Sequence, residues 1–241
     1  MSKNVLVIAA HPDDEILGCG GTIAKHYRGG DKVRVVIVAD GVTSRFYSPG
    51  MQNVELNKIA HDQIETRKNE LYEAAKIIGL QKDDIHYFGL PDQRLDQFPL
   101  LDIVKKIEYV AQDFPPNIVY THHWGDLNKD HRVCCEATIT AFRKSRQISK
   151  EAESIYCYEI PGNIDVLPPK AVNNIKPNHF VDITISIQLK LEALRAYKSE
   201  LREYPASLSP QSVFELSEMR AKNKDFKHAE VFEILRQGGI S

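Results

Sequence analysis

Apolar runs of strand length alternate along this chain with longer stretches of helical periodicity. The strand-like runs cover residues 4–9, 33–39, 85–88, 118–121, 155–158 and 180–183. The helix-like stretches cover residues 18–28, 63–78, 100–112, 132–143 and 187–201. This alternation predicts parallel strands joined by right-handed helical crossovers. We therefore expect an α/β fold, a three-layer α/β/α sandwich with a Rossmann-like, mostly parallel sheet.

The length of 241 residues fits most simply one domain over residues 1–241. A polar C-terminal extension begins at about residue 205, with a helix-like stretch near 211–222. It could cover a site or form a contact in a homo-oligomer, and both alternatives stay open. Residues 41–60 and 161–177 look irregular, and long loops often carry function. Asp62 and Glu65 could cap the second helix.

Charge and cysteine usage restrict the partners of this chain. The formal net charge is −2, from 31 basic and 33 acidic residues. No basic block or Lys/Arg-rich amphipathic helix is present, so we expect neither a nucleic-acid nor a membrane partner. No apolar run has the length of a spanning helix, and the first is too short for a signal peptide. Four cysteines without a Cys-x-x-Cys pair indicate reduced, buried thiols in a cytoplasmic protein.

Histidines and aspartates follow two of the predicted strands directly. The first strand leads into His11-Pro12-Asp13-Asp14-Glu15, and the fourth leads into residues 122–131, which carry three histidines and two aspartates. Ligands of open α/β sheets collect at the carboxyl ends of strands. One imidazole with adjacent carboxylates suits a divalent metal with a base beside it. The two segments therefore predict one composite metal site.

Three motifs carry a family resemblance. Residues 11–15, 18–22 and 130–132 resemble the PIG-L/LmbE-like family of zinc-dependent N-deacetylases, and the similarity runs from residue 5 to about 201. Members remove acetyl groups from N-acetylated amino sugars. The resemblance implies that His11, Asp14 and His131 bind the metal and that Asp13 is the general base. Zinc is the expected ion, with Fe²⁺ or another divalent ion as the alternative, because His and carboxylate ligands suit several metals.

The segment Asn128-Lys129-Asp130-His131 departs from the family pattern at Asn128, where many members carry histidine. An amide can donate a hydrogen bond to the oxyanion but cannot carry a positive charge. Either Asn128 donates, or His122 or His123 reaches in from the strand end. We expect Asp130 to orient a ligand or a donor from behind it. Asn128 and Asp130 are therefore catalytic candidates beside Asp13.

Substrate-binding candidates also follow from the resemblance. Arg67 matches an arginine that opens a family helix, and Asp92 and Arg94 lie in a loop that resembles the family's polar loop. His123 is the fourth candidate. Arg67 could instead form a surface ion pair on its helix, and Asp92 and Arg94 could serve turn chemistry. A late segment over residues 190–199 also resembles the family, with no role assigned.

We expect Glu15 and the glycines that follow it to have structural roles and not to bind the metal. We expect Glu15 to hold a backbone group near the start of the following helix. We expect Gly18, Gly20 and Gly21 to allow close backbone approach to the metal loop.

The leading hypothesis is a zinc-dependent deacetylase of an amino sugar or its conjugate, such as a glycoside, a sugar nucleotide or a small thiol precursor. One alternative is a metal-binding protein without hydrolytic activity. Another is a dinucleotide-binding module, because a glycine-rich turn follows the first strand and Asp40 ends the second. The Gly-x-Gly-x-x-Gly fingerprint is missing from that turn, which disfavours this last alternative.

Overall fold

The computed structural model describes residues 2–143, 152–163 and 175–237. Seven strands and six α-helices lie in these ranges. The strands are β1 (Asn4–Ala9), β2 (Lys32–Ala39), β3 (Ile85–Leu90), β4 (Ile118–His122), β5 (Ser154–Tyr158), β6 (His179–Asp182) and β7 (Ala229–Arg236). The helices are α1 (Asp14–Arg28), α2 (Asn53–Ile77), α3 (Leu100–Asp113), α4 (Lys129–Ala141), α5 (Ile187–Ala196) and α6 (Pro210–Ala221).

All seven strands form one sheet in the order β3-β2-β1-β4-β5-β7-β6. The first five pair in parallel, and β7 pairs antiparallel with both β5 and β6. This confirms the predicted α/β fold with a mostly parallel sheet. Because β4 lies beside β1, their carboxyl ends meet at one edge of the sheet.

The two faces of β1 define the two cores. Val5 and Val7 face a cluster that includes residues of α1, α2, α5 and α6. Leu6 and Ile8 face a second cluster, built with residues of α3 and α4. Alternation of side chains along a strand explains this division. All of β1 from Val5 onward is fully buried, which accounts for its continuous apolar sequence.

Helix α1 begins at Asp14 and has a non-helical residue at Cys19, where φ is −149°. A Cβ on Gly18 would lie 2.2 Å from the Tyr158 ring, and one on Gly21 would lie 2.9 Å from Ile183. These glycines therefore let α1 pack against β5 and the segment after β6. That corrects our expectation that they serve close approach to the metal loop.

Three other elements differ from the sequence-based expectation. Helix α2 begins at Asn53 with a capping box between Gln52 and Glu55, so much of the expected irregular segment is helical and Asp62 is not its cap. Of residues 53–61 only Leu56 and Ala60 are buried, and such a polar stretch gives a weak hydrophobic signal. Helix α5 ends at Ala196, before the predicted 201.

Strand β7 was not predicted. Its sequence holds two glutamates among the apolar residues, and it follows a polar tail, so its pattern is ambiguous. Helix α6 confirms the helix expected near 211–222. Most of the expected excursion at 161–177 lies outside the described residues. None of the described helices is long and apolar enough to cross a membrane.

Candidate metal centre and active site

The site lies where β1 and β4 end. Residues 10–13 connect β1 to α1. Strand β4 ends at His122, and its connection to α4 carries His123 and Asp126. Asp14 opens α1, while His131 lies in the first turn of α4. The two helix starts and the two strand ends therefore bring the motifs together across more than a hundred residues of sequence.

Three donor atoms at this edge form a nearly equilateral triangle. His11 Nδ1 lies 3.2 Å from Asp14 Oδ2, His131 Nε2 lies 3.3 Å from the same oxygen, and the two nitrogens are 3.3 Å apart. A tetrahedral ion with ligand distances of about 2.0–2.2 Å requires ligand separations of about 3.3–3.6 Å. The three side chains are nearly fully buried. The donor set and its spacing thus fit a zinc-type divalent ion.

In His11 and His131, the ring nitrogen that points away from the triangle faces a carboxylate. His11 Nε2 lies 3.0 Å from Asp92 Oδ1 and 3.3 Å from Asp130 Oδ2. His131 Nδ1 lies 3.0 Å from Asp126 Oδ2. Such pairs set the tautomer and orientation of metal-binding histidines. The other ring nitrogens, His11 Nδ1 and His131 Nε2, are therefore held toward the centre of the triangle.

The same carboxylates raise the proton affinity of the histidines. Burial by itself lowers the pKa of His11, but its hydrogen bonds with Asp130, Asp14 and Asp92 raise it well above the usual value. Burial likewise opposes the charged form of His131, yet Asp14 and Asp126 raise its pKa to about 9. A divalent ion entering the triangle must displace these protons.

Asp13 adjoins the triangle and has an unusual backbone. Its φ of 113° lies in the region that L-residues rarely adopt. Asp13 Oδ2 accepts a hydrogen bond of 2.8 Å from Arg67 Nη2. Burial raises the pKa of Asp13 to about 6, against the opposing charge of Arg67. A carboxylate with that pKa can accept a proton near neutral pH and release it again.

Arg67 lies beneath Asp13. The guanidinium donates to the carbonyl of Pro12 as well as to Asp13, and it faces Glu200 at 3.6 Å. Only 3% of the residue is exposed. The structure therefore places Arg67 as a support for the 11–14 turn, whereas the sequence suggested a contact with substrate or a surface ion pair.

Asp92 and Arg94 occupy different positions relative to the site. Asp92 is buried; one of its oxygens faces His11, and the other accepts from Ser44 Oγ. Arg94 donates to Gln97 and stacks over the Tyr47 ring at 4.4 Å. Asp92 is thus engaged in orienting a candidate ligand, and Arg94 lies on the adjoining loop.

The turn before α4 is held by its own polar groups. Asn128 caps α4, with its Oδ1 accepting from the Asp130 N–H at 2.9 Å, so its Nδ2 is the donor group left over. Asp130 is fully buried and accepts from the backbone N–H groups of Gln93 and Leu95 while facing His11. Asp130 therefore ties the polar loop to the metal centre.

His122 and His123 are both buried. His122 Nε2 accepts the Ala10 N–H at 2.9 Å, and its ring stacks on His131 with centroids 3.9 Å apart. Burial and the neighbouring His131 lower the pKa of His122 to about 4. His123 accepts from the Gly125 N–H, and its other ring nitrogen lies 3.2 Å from Glu233. Both nitrogens of His123 are thereby occupied by protein groups.

Several residues of the site were not assigned these roles from sequence. Asp126 orients His131, and Tyr197 donates a hydrogen bond to Glu15. Glu15 in turn accepts the Asp13 N–H at 3.0 Å, as expected of a group that holds the backbone here. Burial raises the pKa of Glu15 to about 8. The spacing of Asp126 from His131 could have indicated its role, but nothing local to Tyr197 could.

The late family-like segment now has visible contacts. Lys190 donates to Glu230 of β7 at 2.6 Å, and the same carboxylate accepts from the N–H groups of Gly21 and Thr22. Ser199 donates to Glu70 from its backbone and its hydroxyl. The N–H groups of Gly21 and Thr22 are thus already bonded to an internal carboxylate, so they are not available to bind a phosphate, which argues against the dinucleotide hypothesis.

The fold and the site define a class: an α/β protein with a buried His–Asp–His triangle that could hold a metal ion and a carboxylate beside it. The model of the PIG-L family, described as GlcNAc-PI de-N-acetylase, matches residues 6–142, more than half of the chain. The chain therefore belongs to the PIG-L family of de-N-acetylases.

Relatives extend this similarity over most of the chain. The "Probable N-acetyl-alpha-D-glucosaminyl L-malate deacetylase 2" of Bacillus cereus is 28% identical over 228 residues, covering 93% of this chain and 92% of the relative. The N,N'-diacetylchitobiose deacetylase structure from Pyrococcus horikoshii, with its inhibitor MPG, has a TM-score of 0.74 at 22% identity, covering 98% of this chain and 84% of that one.

The fold is also found with a different chemistry. GalB, the 4-carboxy-2-hydroxymuconate hydratase of Pseudomonas putida, has a TM-score of 0.72 at 19% identity, and the match covers 99% of this chain and 98% of GalB. Likeness of fold alone therefore does not identify the reaction. The side chains of the site must carry that argument.

Proposed function

We propose that this enzyme is a zinc-dependent hydrolase that removes the N-acetyl group from an amino sugar or an amino-sugar conjugate. The observation that carries the proposal is the buried His11–Asp14–His131 triangle with Asp13 beside it. The names of the Bacillus cereus and Pyrococcus relatives, which are deacetylases of N-acetylglucosamine-containing compounds, support the substrate class.

When bound, a zinc ion would polarise the amide carbonyl and lower the pKa of water to near neutrality. Asp13 accepts the proton that this water loses as its oxygen attacks the carbonyl carbon. Asp13 then delivers the proton to the nitrogen as the C–N bond breaks, which yields acetate and the free amine. The pKa of about 6 for Asp13 suits both transfers.

A hydrogen-bond donor from the protein would stabilise the oxyanion of the tetrahedral intermediate. We assign this role to Asn128, whose Oδ1 caps α4 and whose Nδ2 is therefore free to donate. Asp130 supports the reaction indirectly, by orienting His11 and anchoring the backbone at Gln93 and Leu95. Substrate contacts are proposed for Arg94, whereas the contacts of Arg67, Asp92 and His123 favour supporting roles.

The proposal is tested by amine release from N-acetylglucosamine and a panel of its glycosides and sugar nucleotides. Wild type, chelated protein and protein restored with Zn²⁺ or Fe²⁺ are compared with Asp13→Asn. We expect release that depends on metal and falls by about 100-fold or more in Asp13→Asn, in keeping with the usual contribution of a general base. Asp62→Asn, a change to an exposed carboxylate on α2, should leave the rate unchanged.

Stoichiometric metal binding without amine release on any substrate would contradict the proposal and favour a non-catalytic metal-binding protein. Release that persists in Asp13→Asn would remove Asp13 from the role of base. We also propose that the enzyme acts in the cytoplasm, because all four cysteines are free and buried.

A further inference from the structure

The backbone of Asp13 lies in a conformation that must be held by other groups. A non-glycine residue in a sparsely populated φ/ψ region costs about 1–3 kcal/mol. With φ at 113°, Asp13 fits this description, and it is also the N-cap of α1. The carbonyl of Asp13 accepts from the N–H groups of Ile16 and Leu17, which fixes only one side of its backbone. The contacts of its N–H and its carboxylate therefore decide where the side chain points.

Two side chains supply those contacts. Glu15 Oε2 accepts the Asp13 N–H at 3.0 Å, and Arg67 Nη2 donates to Asp13 Oδ2 at 2.8 Å. Glu15 and Arg67 are 2% and 3% exposed. Neither is held by solvent, so each needs a further protein partner.

Tyr197, the residue directly after α5, contacts both of them. Its hydroxyl donates to Glu15 Oε1, and the Arg67 guanidinium carbon lies 5.0 Å from the centre of its ring. Tyr197 itself is fully buried, and α5 packs against both α1 and α2. Tyr197 thus contacts both Glu15, which holds the backbone of Asp13, and Arg67, which holds its carboxylate.

We propose that Tyr197 is a positioning residue for catalysis: acting through Glu15 and Arg67, it holds Asp13 in the orientation that a general base needs. This inference rests on the proposed function, in which Asp13 is that base. Proton transfer requires hydrogen-bond reach, and a displacement of about 1 Å can cost about 100-fold in rate. None of the three sequence motifs includes Tyr197.

The substitution Tyr197→Phe isolates the hydroxyl. It keeps the ring beside Arg67 and removes only the donor to Glu15. We expect kcat to fall by about tenfold or more, with KM changed by less than about twofold, because binding is retained while the base is misplaced. The ratio of bound zinc to protein should equal that of wild type.

Tyr120→Phe is the matched control. Tyr120 is also buried, at 2% exposure, and its hydroxyl lies 3.0 Å from His26 Nε2. This variant likewise loses one buried hydroxyl contact, but neither Asp13 nor a support of Asp13 is touched. Similar losses of stability in the two variants, with kcat reduced only in Tyr197→Phe, would support positioning. A normal kcat in Tyr197→Phe would overturn it, as would a loss of activity that parallels a loss of bound zinc.

A double-mutant cycle with Asp13→Asn separates positioning from a general structural effect. An N-trifluoroacetyl substrate, whose carbonyl is activated, keeps the slow Asp13→Asn enzyme measurable. If Tyr197 acts through Asp13, Tyr197→Phe should reduce kcat in the wild-type background and have little further effect in Asp13→Asn. Equal reductions in both backgrounds would show that Tyr197 acts elsewhere.

If Tyr197→Phe does not fold, Glu15→Gln and Glu15→Leu test the same series of contacts, from Tyr197 through Glu15 to Asp13. Glutamine retains an acceptor for the Asp13 N–H and a partner for the Tyr197 hydroxyl, whereas leucine retains neither. We expect Glu15→Gln to keep most of the activity and Glu15→Leu to lose it with zinc still bound. Equal activity of the two would overturn the inference. An inactive wild type would instead contradict the proposed function itself.

Discussion

Asp14 uses one oxygen for two purposes. Its Oδ2 accepts the His11 N–H at 2.8 Å, which closes the His11–Asp14 turn, and the same oxygen is the carboxylate corner of the proposed metal site. Burial disfavours its charged form, but the imidazoles of His131 and His122 hold the pKa of Asp14 well below its usual range. The turn is therefore formed with its ligand ionised and in place before any ion binds.

Protons and a metal ion compete for the ring nitrogen of His131, so metal affinity should depend on pH. The metal-free pKa of His131 is raised to about 9, so at lower pH the ring carries a proton that the ion must displace. Affinity for Zn²⁺ should therefore rise with pH from about 6 to about 9, by about tenfold per unit for each proton released. Calorimetry in buffers of different ionisation enthalpy measures those protons. Proton-independent binding over this range would contradict the protonated metal-free site.

Helix α1 depends on contacts that only glycine permits. The Tyr158 ring lies against Gly18, and the same ring packs on His122 with centroids 4.7 Å apart. The Tyr158 hydroxyl donates to the carbonyl of Ile8 in β1. One aromatic side chain thus fixes the distance between α1 and the strands that carry the site.

We expect Gly18→Ala to destabilise the fold by about 1–3 kcal/mol or more, the usual cost of overpacking, because the new Cβ would lie 2.2 Å from the ring. Gly29→Ala, at the end of the same helix with φ of −76°, should change stability by less than about 1 kcal/mol. Urea unfolding measures both. Equal stabilities of the two variants would show that Tyr158 moves aside freely.

Strand β7 is bonded to helices α1 and α5 through Glu230. Glu230 of β7 accepts from Gly21, Thr22 and Lys190, and so caps the part of α1 that follows the break at Cys19. Lys190 also donates to the carbonyl of Leu17. These buried groups join β7, α5 and α1, and Glu230 lies 209 residues after Gly21 and 40 residues after Lys190 in the sequence.

Glu230→Ala should destabilise the whole molecule by about 3–5 kcal/mol, because it leaves the Lys190 charge buried without its partner. Glu153→Ala is the control, since the Lys3–Glu153 pair is exposed and such pairs contribute about 0–1 kcal/mol. Lys190→Met combined with Glu230→Gln should recover part of the loss. A small effect of Glu230→Ala in urea unfolding would refute a structural role for this cap.

The sequence by itself determined the local features of this protein. The fully buried β1 produces a continuous apolar run, and the His11–Asp14 turn is a contiguous motif, so both are visible within a few residues. The alternation of strands and helices predicted the parallel core of the sheet. The polar first turns of α2 gave no such signal, because few of their side chains are apolar, and in β7 two glutamates interrupt the apolar residues.

Only the tertiary structure decided which residues support the site. Arg67 and Asp92 matched a pattern for substrate contact, yet their side chains face Asp13 and His11. Tyr197 reaches Glu15 across a separation of 182 residues. Sequence periodicity reports burial along one element, whereas a hydrogen bond between two elements depends on their packing. The close approach of His11, Asp14 and His131 was therefore predictable from their motifs, and the groups that hold these side chains in place became visible only in the fold.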